Sequence, residues 1–116
     1  GLLALRSAVH LAALGPRGLQ ETAELCLRKA HYAAAQLTSI PGVSRTFATP
    51  FFKEFTLAIP GHVESVLAKL RHRGYHAGLP LARWYPRFAN GISVAVTEKR
   101  TKAEIDGLAA ALRECL

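Results

Sequence analysis

Two short segments of this chain gather side chains that could do more than fold. Glu98-Lys99-Arg100-Thr101-Lys102 sets five polar residues between a strand pattern and a helix start. The first N–H groups of a helix lack internal partners, so a hinge placed there can meet a ligand or a partner chain. The second segment, Gly78-Leu79-Pro80-Leu81-Ala82-Arg83-Trp84-Tyr85-Pro86, combines arginine with two aromatics in a long loop. Long loops are often functional, and Arg, Trp and Tyr dominate interface energetics. Arg83, Trp84 and Tyr85 are therefore expected at an interface or ligand contact, the alternative being that they plug the loop against its own domain.

Other chemistry is hard to assemble. No glycine-rich phosphate loop or dinucleotide fingerprint is present. His72 and His76 are four apart, but Gly74 lies between them, so no shared helix face and no metal site is expected. Glu54 and Glu98 are the only carboxylates in expected loop or strand-end positions, and no Ser/His/Asp arrangement suggests itself. No catalytic, cofactor-binding or metal residue is assigned. His31-Tyr32 reads as a half-buried pair packing against the sheet or a neighbouring domain. Pro50-Phe51-Phe52-Lys53-Glu54-Phe55 places aromatics on both faces of a strand, so an exposed patch or local packing at the turn is expected. Cys26 and Cys115 are too few for a disulfide framework and read as free thiols within helices, which suits a cytoplasmic protein.

The elements that must position these segments follow from periodicity. Leu2–Leu14 has apolar residues nearly all round and is expected to be a well-buried helix. Gly15-Pro16 breaks it, and Pro16 suits the first turn of a second helix reaching Thr38. That helix carries a stripe of Leu19, Ala23, Cys26, Ala30, Ala33, Ala34 and Leu37. Val43–Ala48 and Phe52–Ile59 read as a strand hairpin, with Phe55, Leu57 and Ile59 on one face. His62–Arg73 reads as a helix with Val63, Val66, Leu67 and Leu70 inward, and Gly74 as its C′ residue. Tyr75–Ala77 reads as a short strand. Asn90-Gly91 is expected to supply positive-φ residues for a tight turn. Ile92, Val94 and Val96 then alternate at strand period. Thr101-Lys102-Ala103-Glu104 forms a capping box ahead of Ile105, Leu108, Ala109, Leu112 and Leu116. The order is α-α-β-β-α-β-β-α: an α+β two-layer domain, a small antiparallel or mixed sheet covered by helices.

The 116 residues make one domain, and half of them are apolar, enough for a real core. No apolar run reaches the roughly 20 residues of a membrane span, and Leu2–Leu14 lacks the basic leader and cleavage site of a signal peptide. The chain contains no Met and opens straight into a helix pattern without an N-cap residue, which points to a piece of a longer protein. Its net charge is +7, and Lys69, Arg71, Arg73, Arg83 and Arg87 follow one another with no acid between them. A basic α+β module that binds nucleic acid, or a free-standing protein-interaction module, is therefore an alternative reading. No RNP-like aromatic strand or recognition-helix pattern accompanies that charge, which counts against nucleic acid.

Several motifs, taken in order, resemble a family. They are Gly15-Pro-Arg-Gly-Leu19, Ala30-His31-Tyr32, Ile40-Pro41-Gly42-Val43, Pro50-Phe51-Phe52-Lys53-Glu54-Phe55, Gly78-Leu79-Pro80-Leu81 with Arg83 and Tyr85-Pro86, and Val96-Thr97-Glu98-Lys99-Arg100-Thr101-Lys102 with Glu104-Ile105-Asp106. Together they resemble the C-terminal part of glycine dehydrogenase (decarboxylating) subunit 1, the α chain of the split P-protein of the glycine cleavage system, over essentially the whole chain. Ala77, Ala82 and Trp84 depart from the Gly, Gly and Tyr or Phe more usual there. The resemblance implies the small C-terminal α+β domain of a fold type I pyridoxal-phosphate enzyme. Residues 1–15 would end a connecting helix from a missing large domain, and 16–116 would form the small domain. It implies a heterotetramer with subunit 2, which carries pyridoxal phosphate, and transfer of an aminomethyl group to the lipoyl H-protein. Lys29, Lys53, Lys69, Lys99 and Lys102 do not sit in a motif resembling the Schiff-base lysine, so this chain should bind no cofactor and be inactive alone. Glu98, Lys99 and Arg100, with Arg83, Trp84 and Tyr85, become candidates for an interface or active-site mouth. Arg100 could grip a carboxylate with its planar fork, or simply pair with Glu104.

Overall fold

The computed structural model describes residues 1–116. Helix α1 spans Leu2–Thr38 and is broken at Gly15, whose φ of 64° and ψ of 178° only glycine adopts readily. After the break, Cys26, Ala30, Ala33, Ala34 and Leu37 face the core. Their small side chains let α1 lie close against α3 (Lys102–Cys115). Before the break the expectation of burial fails: Leu2, Leu3, Leu5, Val9 and Leu11 are all exposed. Apolar residues bury only where something covers them, and the break carries this segment away from the core. Leu19 and Ala23, expected in the buried stripe, are also exposed, because they follow the break but precede Cys26, the first α1 residue that the core covers.

Four strands form one antiparallel sheet in the order β1-β2-β4-β3. Strand β2 (Glu54–Ala58) pairs with β1 (Ser44–Arg45) and with β4 (Gly91–Ala95), in a register that sets Glu54 against Ala95 and Ala58 against Gly91. The hairpin expected between the first two strands is present but short. After Arg45 only the Thr46 N–H still donates to β2, at Thr56, before the chain turns out. The Arg45 guanidinium fastens that bend by donating to the Thr49 carbonyl at 2.6 Å. Phe55, Leu57, Ile59, Ile92, Val94 and Val96 are buried beneath the helices, as the alternation requires. The other sheet face carries Thr56, Ala58, Ser93 and Ala95, and no helix covers it.

Helix α2 (Val63–His72) buries the four residues expected of it. It ends in a Schellman motif, with Gly74 at φ 85°. Gly74 donates to the Arg71 carbonyl and Tyr75 to the Leu70 carbonyl, both at 2.9 Å. That bond explains why Tyr75–Ala77 is not a strand: Tyr75 spends its N–H on closing the helix. The strand forms further on, as β3 (Leu79–Pro80), an edge position that tolerates proline. The backbone at Gly78 passes so close to the Ser93 carbonyl that any side chain there would collide with it.

Asn90 and Gly91 also differ from expectation, since neither has positive φ. Gly91 opens β4 instead. A Cβ there would lie 3.0 Å from the Phe88 carbonyl and 3.1 Å from Leu81, so glycine serves close packing rather than a turn. A single turn of 3₁₀ helix, Pro86–Phe88, delivers the chain to that point.

Candidate interface and active-site mouth

The six candidate residues fall into two groups at opposite ends of β4. Glu98, Lys99 and Arg100 follow its last residue, and Arg83, Trp84 and Tyr85 precede its first. They do not build a single site.

At the hinge, helix α1 holds the backbone in place. Cys26 and Lys29 lie one turn apart, as i and i+3, on the same helix face. The Cys26 thiol donates to the Glu98 carboxylate at 3.4 Å, and the Lys29 ammonium donates to the Glu98 carbonyl. The Glu98 carboxyl titrates below its ordinary 4.5, chiefly because it accepts from its own backbone N–H and then from the Cys26 thiol. Lys99 is exposed. Arg100 pairs with Glu104 at 3.4 Å, both side chains about half exposed. Glu104 also accepts from the Thr101 N–H at 2.7 Å and its hydroxyl at 3.0 Å, which holds its carboxyl below the ordinary range, and its own N–H donates to the Thr101 hydroxyl oxygen at 3.2 Å to complete the capping box. Arg100, Glu104, Tyr75 and His76 border a groove of about 270 Å³ whose floor includes Ala77, Val94 and Ile105. This arrangement can hold charge at the rim of an apolar slot. The groove itself is lined by no Ser, Cys or Thr, and the Cys26 thiol that donates to Glu98 is buried outside it.

Two features of this end escape sequence reading. Cys26 and Lys29 meet Glu98 across some seventy residues; the only signal is their i, i+3 spacing on a face that also carries core alanines. Lys102, Asp106 and Tyr32 form a second network. The Lys102 ammonium and the Tyr32 hydroxyl each donate to Asp106 at 2.6 Å, and Lys102 stands 5.2 Å above the Tyr32 ring. Both bonds favour the ionised forms, so the Asp106 carboxyl is depressed and the Lys102 ammonium raised. His31, the other half of the expected pair, is exposed and stacks on Phe51 with ring centroids 4.1 Å apart.

At the other end the loop is ordered by the backbone. The Trp84 and Tyr85 N–H groups donate to the Leu81 carbonyl at 3.0 and 2.8 Å, and the Phe88 N–H donates to the Tyr85 carbonyl at 2.9 Å. Trp84 and Tyr85 are each 54% exposed, too open to plug their own domain. Arg83 sits 5.4 Å from the Trp84 ring centre and Arg87 sits 4.8 Å from that of Phe88.

Three of the five lysine ammonium groups already have partners within this chain. The ammonium groups of Lys29, Lys69 and Lys102 are committed to the Glu98 carbonyl, the Cys115 carbonyl and Asp106. Lys53 and Lys99 are exposed, Lys53 at an open cleft and Lys99 in the turn before α3.

Comparison with known proteins supplies the context for these features. The family described as Glycine cleavage system P-protein matches residues 1–112. Probable glycine dehydrogenase (decarboxylating) subunit 1 of Moorella thermoacetica is 45% identical over 115 residues, covering 99% of this chain and 26% of that protein. The crystal structure of glycine decarboxylase (P-protein) of the glycine cleavage system, in inhibitor-bound form, matches 97% of this chain and 25% of its own, with 38% identity and a TM-score of 0.88. A C-DES variant with glycine covalently linked to its PLP cofactor shares the fold alone, at 16% identity and a TM-score of 0.69 over 82% of this chain and 24% of that one. The chain thus spans about a quarter of the length of the proteins it matches, and its fold is the small α+β domain of fold type I pyridoxal-phosphate enzymes. It belongs to the glycine cleavage system P-protein family, with glycine dehydrogenase (decarboxylating) subunit 1 among its relatives.

Proposed function

We propose that this chain is the small C-terminal domain of the subunit of glycine decarboxylase that does not carry the cofactor. Residues 1–15 end the connection from a large domain, and 16–116 form the small domain. It supports assembly with subunit 2 in a cytoplasmic heterotetramer and shapes the mouth of the active site. There glycine is decarboxylated and the aminomethyl group passes to the lipoyl arm of the H-protein. Pyridoxal phosphate, held by the partner subunit, supplies the electron sink. The residues of this chain bind, orient and exclude water. Arg100 is the group most suited to meeting a carboxylate, because its pairing with Glu104 is solvent-exposed and can be exchanged at a cost under about 1 kcal/mol.

The observation that carries this reading is the 38% identity and 0.88 TM-score with a P-protein over nearly the whole chain. The apolar exposed segment before Gly15 supports it, since Leu2, Leu3, Leu5, Val9 and Leu11 form a surface suited to being covered. The test uses the complete two-subunit enzyme. Deleting this region is expected to abolish both heterotetramer formation, read by sizing, and glycine-dependent release of carbon dioxide. Intact assembly and turnover without it would refute the reading. Arg100→Lys keeps the charge but loses the fork; a fall in turnover with assembly intact is expected, and unchanged kinetics would leave Arg100 as the helix-cap neighbour of Glu104 only.

A further inference from the structure

The chain forms four ion pairs, and they use Arg28, Arg73, Arg100 and Lys102. The other eleven Lys and Arg side chains have no acidic partner, and four of them, Arg45, Lys53, Arg83 and Arg87, lie among aromatic rings. These four cations are not scattered. Arg45 and Lys53 line a cleft of about 490 Å³ together with Phe47, Phe51, Phe52 and Thr56. Phe47 leaves that cleft to meet Phe88 edge-on, with ring centroids 5.5 Å apart. Phe88 in turn meets Tyr85 at 6.4 Å and lies beneath Arg87. Arg83 and Trp84 continue the same loop. A continuous belt of aromatics and unpaired cations thus runs from the cleft to the loop, with Glu54 as the one acid on the cleft wall. Phe47, Phe52, Trp84 and Tyr85 are each about half exposed.

Three of the four cations are arginines held within 4.8 to 5.4 Å of a ring centre, Arg45 over Phe51 among them. Arginine so placed keeps hydrogen-bond donors for a carboxylate while its position is restrained by the ring. Half-exposed aromatics flanked by such groups have the composition of an interface centre rather than of a solvated face. The occupant must then be apolar in part and acidic in part. A second copy of the same belt is a poor candidate, because a two-fold contact would set these cations against one another. The relatives are about four times longer than this chain, so most of the polypeptide that could cover the belt lies outside these residues.

We infer that the belt of Arg45, Lys53, Arg83 and Arg87 with Phe47, Phe52, Trp84 and Tyr85 is an intrasubunit docking surface, covered by a part of the same subunit outside these 116 residues that presents carboxylates to the four cations. This rests on the reading that the chain is one domain of a longer subunit. It adds which face is covered and by what chemistry.

The experiment uses the complete subunit with its cognate partner subunit. Arginines are labelled with phenylglyoxal in the native and in the urea-unfolded protein, and sites are ranked by mass spectrometry. Arg83 and Arg87 are expected to react about tenfold more slowly in the native protein than in the unfolded one, the protection that local burial confers. A water-soluble carbodiimide then joins Lys53 to any carboxylate in contact with it, the lysine amine displacing the activating group to leave an amide. The expected product joins Lys53 to an Asp or Glu elsewhere in the same subunit. Linkage to the partner subunit or to another protein, protection that appears only when nucleic acid is added, or full reactivity of Arg83 and Arg87 would each overturn the inference. Glycine-dependent carbon dioxide release is measured on the same unmodified preparation. Turnover without protection sinks the docking surface alone; protection without turnover sinks the proposed function alone.

Discussion

Thr101 and Glu104 show how much one pair of side chains can decide. Each satisfies an N–H that the helix start would otherwise leave open. Replacing Thr101 by Ala is expected to cost about 1 kcal/mol, read from urea unfolding; no change in midpoint would mean the cap is replaceable by water. A few residues on, Asp106 couples stability to pH. Its folded carboxyl is depressed below the ordinary 3.8, first by Lys102 and then by Tyr32. A depressed carboxyl binds fewer protons folded than unfolded, so its contribution is present above the ordinary value and is lost as pH falls through the folded one. Asp106→Asn should lower the melting temperature at neutral pH and flatten its fall below about pH 4. An unaltered slope would mean that the Tyr32–Asp106–Lys102 network is not coupled to folding. The capping box was legible because its four residues are contiguous. The Cys26–Glu98 and Tyr32–Asp106 contacts were not, because they join residues more than seventy apart and only the fold brings them together.

Among the elements, α2 is the plainest case of sequence dictating structure. Val63, Val66, Leu67 and Leu70 keep helical spacing, and Gly74 terminates them. The leading part of α1 has an equally apolar sequence and the opposite environment. The difference gives a paired prediction. Leu67→Ala should destabilise by about 2–5 kcal/mol, because the vacated volume is enclosed on all sides. Leu3→Ala should change stability by less than about 0.5 kcal/mol in this chain, since the side chain already sits in water. Comparable shifts in the two unfolding midpoints would mean that the leading segment packs against something in solution. Periodicity states that a face wants cover without stating whether cover exists, so the burial it predicts for Leu2–Leu14 does not occur in this chain. Strand positions were blurred for a different reason. Local preference points Tyr75 to a strand and Gly91 to a turn, but Tyr75 closes α2 through Leu70, and Gly91 makes room for Phe88.

For the whole molecule, fold class was readable from the order of elements, and the α+β two-layer arrangement is what forms. The candidate site was readable only in part. Composition picked out Arg83, Trp84, Tyr85 and the hinge, but their separation to opposite ends of β4 depends on strand register, and the link between Phe47 and Phe88 depends on tertiary contact. The purified chain is expected to fold around its single core and to be catalytically silent. Mixed with pyridoxal phosphate and treated with borohydride, it should yield no stoichiometric adduct on one particular lysine. Specific reduction onto Lys53 or Lys99 would refute this.

The position of β4 in the sheet has a consequence for how the molecule comes into being. This strand lies between β2 and β3, yet it is translated after both. Until it emerges, β2 has only the two-residue β1 beside it and β3 has no neighbour, so the nascent chain presents open hydrogen-bonding edges. Helix α2 and the loop after it must also be spanned before β2 meets β4, and such non-local closure is slow. The ribosome therefore releases the keystone only after the strands it joins, and the interval before its arrival is when this chain is most open to pairing with the wrong neighbour.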